Sequence, residues 1–530
     1  MPTRRQILTG TAAVAGAALL PSAWPEPAAA RDSAAIAVAP FRLGLASGDP
    51  LPDSVILWTR LLADTALPSR PINVGWQVAA DEQFRDVVAR GAALARPELG
   101  HSVHVDADGL RPGYGYFYRF RALGETSPIG RTRTAPARWQ DPARVRFGIV
   151  NCQDFQNGYW PAYWGLADED LDVVLHLGDY IYEYDAHSRF PDRNHTASQT
   201  PGLDQLVTLE DYRARHAQYK SDPALQAAHG AFPWIVTWDD HETENNYASF
   251  IDEIDDQGAQ RQTPAEFARQ RAAAYQAYYE HMPIRADLNP GSPDLRIFRR
   301  FDYGRLVRFN VLDTRQYRTD QPGGFPGDFG LASAGTGNTT GTLTGEHQER
   351  WLRRGLERSP SRWNVIAQQV MMSRFKIPNP SGPVPPILAN LDQWDGYVPQ
   401  RTRLLQFLAD AEIANPVVLA GDIHSTWLSE LKLDFDQPDS PSVAVELVAT
   451  SVSSDFPIEF DAPLKALNPI LNPHVRYFDG SKRGYLRVDV DHDLLRTDAR
   501  SVDTIEVRET PTMTSASFVV PAGESTLLPA

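Results

Sequence analysis

The stretch Val173-Val174-Leu175-His176-Leu177 runs directly into Gly178-Asp179-Tyr180-Ile181-Tyr182. A short apolar run bounded by a turn signal reads as a buried strand. Gly178 allows a sharp turn, which aims Asp179 out of the sheet edge. A carboxylate has two oxygens, so Asp179 can bridge two metal ions, and Tyr182, three residues on, can add a phenolate to one of them. The bland alternative is a strand-end turn capped by the aspartate.

The same format recurs along the chain. Val145–Val150 precedes Asn151-Cys152-Gln153-Asp154, where the thiol is either a transition-metal ligand or inert packing. Trp234–Val236 leads into Asp239-Asp240-His241-Glu242, with Asn245 and Asn246 following as candidate oxygen ligands or phosphate contacts. Carboxylates this close repel each other and resist ionisation unless a cation sits among them. The alternative there is a solvated acidic loop. Val417–Ala420 precedes Gly421-Asp422-Ile423-His424, in which residues two apart can face one ion. Open α/β sheets place ligands outside the carboxyl ends of their strands, which is where all four polar clusters fall. Together they supply a thiol, several carboxylates, a phenol and two imidazoles. That is enough for two ions sharing Asp179, an arrangement suited to in-line displacement at phosphorus.

Further apolar runs at Leu306–Leu312 and Val365–Ala367, and helical patterns at Pro264–His281 and Gly345–Glu357, predict a layered α/β region over 143–500. Before it, strands at Ser54–Trp58, Asn73–Ala79, His101–Val105 and Gly115–Ala122 predict a small β-sandwich over 41–135. The Gly- and Thr-rich 323–344 stretch predicts a long loop, either a surface insert or a lid. Loops such as 185–230 and 323–344 would set substrate choice. Residues 501–530, rich in Ser, Thr and Pro, predict a loosely packed tail with no helical period.

The N-terminus carries Thr3-Arg4-Arg5-Gln6-Ile7-Leu8, a short apolar stretch to Leu20, and Ala28-Ala29-Ala30. This predicts a twin-arginine export signal over 1–30, read by the twin-arginine translocation machinery, over an ordinary signal with adjacent arginines. It implies a secreted, periplasmic or cell-envelope protein. No other stretch is long and apolar enough to span a membrane, so no transmembrane segment is expected. The single cysteine excludes an internal disulfide. A length of 530 residues suggests two to four domains, and the net charge of −16 argues against a nucleic-acid partner bound through a basic face.

As a set, these motifs resemble the calcineurin-like metallophosphoesterases, and within them the alkaline phosphatase D family. Gly178-Asp179 with Tyr182, Asp239-Asp240-His241-Glu242 and Gly421-Asp422-Ile423-His424 stand where that superfamily has its metal motifs. The usual first Asp-x-His is replaced by Asn151-Cys152-Gln153-Asp154, and a cysteine there marks the subfamily. Leu312–Tyr317, Gln368–Met371, Trp394–Tyr397 and Thr450–Ser454 also look like the family, and the likeness runs from about residue 40 to 490. It implies a four-layer metallophosphoesterase β-sandwich flanked by helices, with a fibronectin- or Ig-like N-terminal domain. It implies a ferric ion (Fe3+) on Cys152, Asp179, Tyr182 and His424, and calcium (Ca2+) on Asp179, Asp240 and Asp422, with Gln369 near a further ligand position. His241 would be the general acid or electrostatic stabiliser. Arg315 would fork onto phosphate oxygens or form a salt bridge with Asp313 or Asp320, and Asn245 would contact phosphate. The implied activity is hydrolysis of phosphate esters by a hydroxide activated by the iron. The alternatives are a phosphodiesterase or phospholipase D on the same site and, from another class, a secreted binding protein that keeps the fold without catalysis.

Overall fold

Strands that are apolar on both faces must be covered on both faces, and this requirement builds the molecule in layers. A computed structural model describes residues 40–63, 66–185, 188–199, 205–252, 262–322, 329–378, 387–437 and 439–530. The expected leader over 1–30 lies outside them, as do residues 323–328 of the expected loop. The Val145–Val150, Val173–His176 and Pro233–Val236 strands pair in parallel within a ten-stranded sheet. The Val307–Val311, Trp363–Ala367, Pro416–Ala420 and Ser442–Val448 strands are likewise parallel within a seven-stranded sheet.

Alternation along each strand decides what each side chain meets. Phe147, Ile149, Val173, Leu175 and Ile235 pack against Phe309, Val365, Val417 and Leu447 of the second sheet, forming the core between the sheets. Val174, Trp234 and Val236 point the other way, into the helices Pro161–Ala167, Leu209–Lys220, Pro223–Ala231 and Pro264–His281. Ile366 and Val418 likewise meet Leu352, Leu356, Leu404 and Leu408 of the helices Gly345–Glu357 and Val398–Asp410. The result is helix, sheet, sheet, helix, the four-layer arrangement expected. Pro264–His281 starts where its sequence says it should, with Thr263 and Glu266 closing a capping box and proline at the first turn.

Three expectations need correction. The 185–230 stretch contains two helices, Leu209–Lys220 and Pro223–Ala231, rather than a plain loop. Within 323–344, Phe329–Leu331 pairs with Ile387–Asn390 in a small three-stranded sheet, and Ala332–Gly337 is a helix. The tail is not loose, because Thr512–Pro521 and Leu528–Pro529 extend the ten-stranded sheet beside Leu494–Val502. The N-terminal β region has its own core around Val74, Tyr118 and Phe120. One of its sheets is continuous with the ten-stranded one, since Leu45–Gly48 lies parallel to Pro233–Val236. The N-terminal sandwich is separate in core and shared in sheet.

Candidate metal centre

Four strand ends deliver the predicted residues to one place, three from the first sheet and one from the second. The chain turns sharply at each. Cys152, Asp179, Asp422 and His424 all sit in the left-handed region, with φ of 53°, 55°, 66° and 54°. Such a conformation costs a non-glycine residue on the order of 1 kcal/mol or more and persists only where its surroundings hold it. Here they do. The Cys152 N–H donates to Gly178 O at 3.1 Å, and Cys152 O accepts from the N–H groups of Ser453 and Ser454 and from Ser454 Oγ at 2.9 Å. Gly178 is required in a stricter sense. With φ at +113°, a Cβ there would stand 2.4 Å from Asp239 Cβ, so any side chain would push apart the two strand ends that carry the acids.

Asp179 is the centre of the arrangement. Ligand atoms of Cys152, Asp179 and His424 lie within 4.8 Å of one another, as do those of Asp179, Asp240 and His241, and those of Asp179, Asp239, Asp240 and Asp422. Tyr182 joins the first group, its hydroxyl 3.2 Å from both Asp179 Oδ2 and His424 Nε2. Asp179 Oδ1, Asp239 Oδ2 and Asp240 Oδ1 are buried without a hydrogen-bond partner. Unpaired carboxylate oxygens are costly in an interior.

The electrostatics agree. Burial, then the neighbouring acids, pushes Asp422 well above the usual carboxylate range. Burial does the same to Asp179 against the attraction of His241, with Asp240, Asp239 and Glu242 adding to the rise. Burial, then Asp179 and Asp422, pushes the Cys152 thiol up. On protein groups alone these sites resist ionisation, and bound cations reverse that logic. Burial lowers His424 to about 4, leaving it neutral, as an imidazole ligand must be. Its Nδ1 is tied to Asp455 O at 2.8 Å, which leaves Nε2 for the cluster. The donors therefore fit two kinds of ion, a transition metal on thiolate, phenolate and imidazole, and a hard cation on carboxylates.

Two of the expected residues are engaged by other protein groups. Arg315 is fully buried and gives its guanidinium to Asp392 at 2.7 and 2.8 Å and to Asp239 at 2.5 Å, with Asp422 at 3.3 Å and Asp240 at 3.4 Å. These acids, and not the expected Asp313 and Asp320, are its ion-pair partners, and its charge offsets part of the acid cluster. Gln369 spends both ends of its amide: Nε2 donates to Thr237 Oγ1, Trp238 O and Leu312 O, and Oε1 accepts from Thr314. It ties strand ends together, and its oxygen is engaged by Thr314. Asn245 stands at the half-buried rim, its N–H donating to Glu183 Oε1 at 2.8 Å.

Sequence reading also missed residues. Glu242, within the acidic quartet, accepts from the N–H groups of Asp179, Tyr180 and Asp239 and so sets both strand ends. Burial raises its carboxyl to about 8. Ser454, in the quoted Thr450–Ser454 segment, bonds Tyr182 at 2.6 Å. Glu183 bonds His241 Nδ1 at 2.7 Å. Its only sequence signal is adjacency to Tyr182.

Residues 147–499 match the family model for PhoD-like phosphatase, and residues 27–136 match that for the PhoD-like phosphatase N-terminal domain. The chain is 44% identical over 492 residues to alkaline phosphatase D of Bacillus subtilis (strain 168), a match covering 91% of this chain and 80% of that protein. A solved structure of PhoD superposes with a TM-score of 0.83 at 42% identity, covering 93% of this chain and 92% of that one. Among the described residues no helix is long and apolar enough to cross a membrane.

Proposed function

Because the chain belongs to the PhoD-like phosphatase family and is a phosphoric ester hydrolase, we propose that it hydrolyses phosphate monoesters through a binuclear Fe3+/Ca2+ centre. The observation that carries this reading is Asp179, common to all three ligand groups and left with an unpartnered buried oxygen. Cys152, Asp179, Tyr182 and His424 would hold the ferric ion, and Asp179, Asp240 and Asp422 the calcium. When bound, such ions activate water near neutral pH and neutralise charge on the phosphoryl group.

The protein's own residues do the rest. Hydrolysis forms a bond from phosphorus to water oxygen and breaks the bond to the ester oxygen, which leaves as an alkoxide in need of a proton. His241 is the donor. Burial resists its protonation, but Glu183, Asp240 and Asp179 override that and raise its pKa well above the ordinary imidazole value. With ions on Asp179 and Asp240, Glu183 would remain the carboxylate beside it, and a protonated His241 would donate to the leaving oxygen. His241 and Asp422 keep 13% and 14% of their side chains exposed, so substrate meets the cluster from their side. Arg315, buried below, keeps the acids in place and leaves Asn245 as the rim contact for phosphate.

The twin-arginine motif at Thr3–Leu8 supports export by the twin-arginine machinery to the cell exterior or envelope. Fractionation of expressing cells tests this, and protein confined to the cytoplasm would refute it.

The activity test is release of p-nitrophenol from its phosphate monoester and from the bis-ester, on mature protein supplied with calcium. The monoester is expected to turn over faster, and His241→Ala to lower its kcat by roughly 100-fold or more. Faster diester turnover would move the reading to a phosphodiesterase on the same site.

A further inference from the structure

A cavity of about 220 Å³ lies between the Ala332–Gly337 helix, the Val398–Asp410 helix and the 433–436 turn. None of its lining residues belongs to the ligand groups of the metal centre. Arg374, Lys376 and Arg401 all line it. Arg374 and Arg401 are only 8% and 4% exposed, and their guanidiniums lie 5.7 and 5.1 Å from the centre of the Phe435 ring. The protein uses few of their donors. Arg374 Nε is buried with no hydrogen-bond partner, and Nη2 reaches Leu471 O at only 3.4 Å. Arg401 commits Nη1 to Asp395 Oδ1 at 2.6 Å and to Met372 O at 3.1 Å, and its other two nitrogens bond nothing among the described residues. Arg374 Nη1 and Lys376 Nζ converge on one oxygen, Asp436 Oδ1, at 2.7 Å each. The Asp436 side chain is 72% exposed. Two cations of the cavity thus meet a single carboxylate oxygen that enters from the solvent side. With Asp395, Asp434 and Asp436 the three cations are balanced; without Asp436 the lining keeps one positive charge in surplus.

We propose that this cavity is a binding site for inorganic phosphate, and that Asp436 is a stand-in for it, an oxyanion of the protein's own that the ion displaces. Guanidinium forks match pairs of oxygens on a tetrahedral anion, and an ammonium adds a point charge. An ion with four oxygens can engage Arg374, Lys376 and Arg401 together, whereas Asp436 meets two of them through one oxygen. Phe435 holds both guanidiniums in place beforehand, so little side-chain ordering remains to oppose binding. Asp436, mostly in water already, gives up little on leaving. Phosphate is also what monoester hydrolysis releases, but the site stands on its own residues and does not depend on that reading. An alternative role, in which Asp436 merely clamps the 433–436 turn onto Arg374 and Lys376, predicts a contribution to stability and no effect on phosphate.

Equilibrium dialysis of the metal-loaded full chain against radiolabelled inorganic phosphate separates the two. Expected is a class of one site per chain that persists in Asp179→Asn, where phosphate binding at the metal centre falls away. Lys376→Met should weaken this class by about 10-fold or more, through the loss of one charged donor. Asp436→Asn should tighten it by about 3-fold or more, because the competing carboxylate is gone. Neither residue belongs to the catalytic machinery, so both variants should turn over p-nitrophenyl phosphate as the parent does. Competition by unlabelled methyl phosphate at this class would extend the ligand to terminal phosphoryl groups of esters, and its absence would confine it to the free ion. A single class of phosphate that Asp179→Asn abolishes would overturn the proposal. So would Asp436→Asn protein that melts earlier yet binds phosphate no tighter, which would make Asp436 a clamp, or Lys376→Met protein that is folded and binds phosphate as the parent does.

Discussion

Two polar clusters lie on opposite sides of the Asp179–Tyr180 turn. In front are Cys152, Asp179, Asp239, Asp240 and Asp422, acids brought together at strand ends. Behind are Lys220, His176, His216, His229 and His281, bases enclosed by three helices and the sheet. Tyr180 joins the two regions, its hydroxyl 2.8 Å from His229 Nε2. Lys220 Nζ lies 3.3 Å from the same nitrogen and 4.4 Å from the centre of the Trp58 ring, and it makes no ion pair among the described residues. His216 and His281 stack at 4.9 Å, and both ring nitrogens of His216 lack a partner. Both clusters gather like-charged groups in a medium that penalises charge. The acids can be relieved by bound cations, which is a function. The bases form no ion pair with an acid among the described residues and are relieved by staying neutral. Burial, with a contribution from Lys220, lowers His176 to about 3 and holds His229 well below its ordinary range. One cluster is built to keep its charge and the other to discard it.

The largest effect should come from breaking the acid side. Arg315→Met would leave Asp239 without its buried cation and Asp392 with Arg318 alone, costing about 3–5 kcal/mol in denaturant unfolding. A variant with full stability and lost turnover would instead return Arg315 to the phosphate. Next, Asp179→Asn removes the ligand common to every group. Bound metal should fall, and kcat with it by roughly 100-fold or more. Retained metal and retained rate would mean that the acids are not a cation site, and the contrast would collapse.

The two sides were unequally legible in the sequence. The front cluster could be read because its residues follow apolar runs directly, and the strands fell where those runs lie, with Val145–Val150 and the helices Pro264–His281 and Gly345–Glu357 at their expected bounds. The rear cluster could not. Its helix Leu209–Lys220 buries Asp211, Tyr212, Arg215, His216, Tyr219 and Lys220, so the inward face keeps the helical spacing but carries charge in place of hydrocarbon. A hydropathy pattern cannot show such a helix. Arg315 failed for another reason. Its partners Asp239 and Asp392 are 76 and 77 residues away, whereas Asp313 and Asp320 were merely near in sequence. The Thr512–Pro521 strand lies toward the sheet edge with more than half its residues open or half-open, so its alternation is weak.

The smallest effect is the one that tests the rear cluster. Lys220 is fully buried, and burial holds its amine well below the ordinary lysine value of 10.5. Between its folded value and 10.5 the unfolded chain binds a proton that the folded chain does not. Stability therefore rises with pH across that window, and at pH 7 the lysine is a liability. His176, with about 3 against an ordinary 6.5, extends the same slope to the acid side, where metal ligands also titrate. The measurement therefore belongs between pH 7 and 10. Lys220→Met fills the same volume without the amine. Its melting temperature should exceed that of the parent at pH 7, and the gap should close as pH approaches 10.5. In a chain of this length each kcal/mol moves the melting point by only on the order of 1 °C, so the dependence on pH is the readout, not the offset. If the variant is instead less stable at pH 7 by an amount that ignores pH, the lysine is charged and held by the Trp58 and Tyr180 rings, 4.4 and 5.1 Å away. In that case aromatic faces stand in for the missing counter-ion, and the interior retains charge on both sides of Asp179.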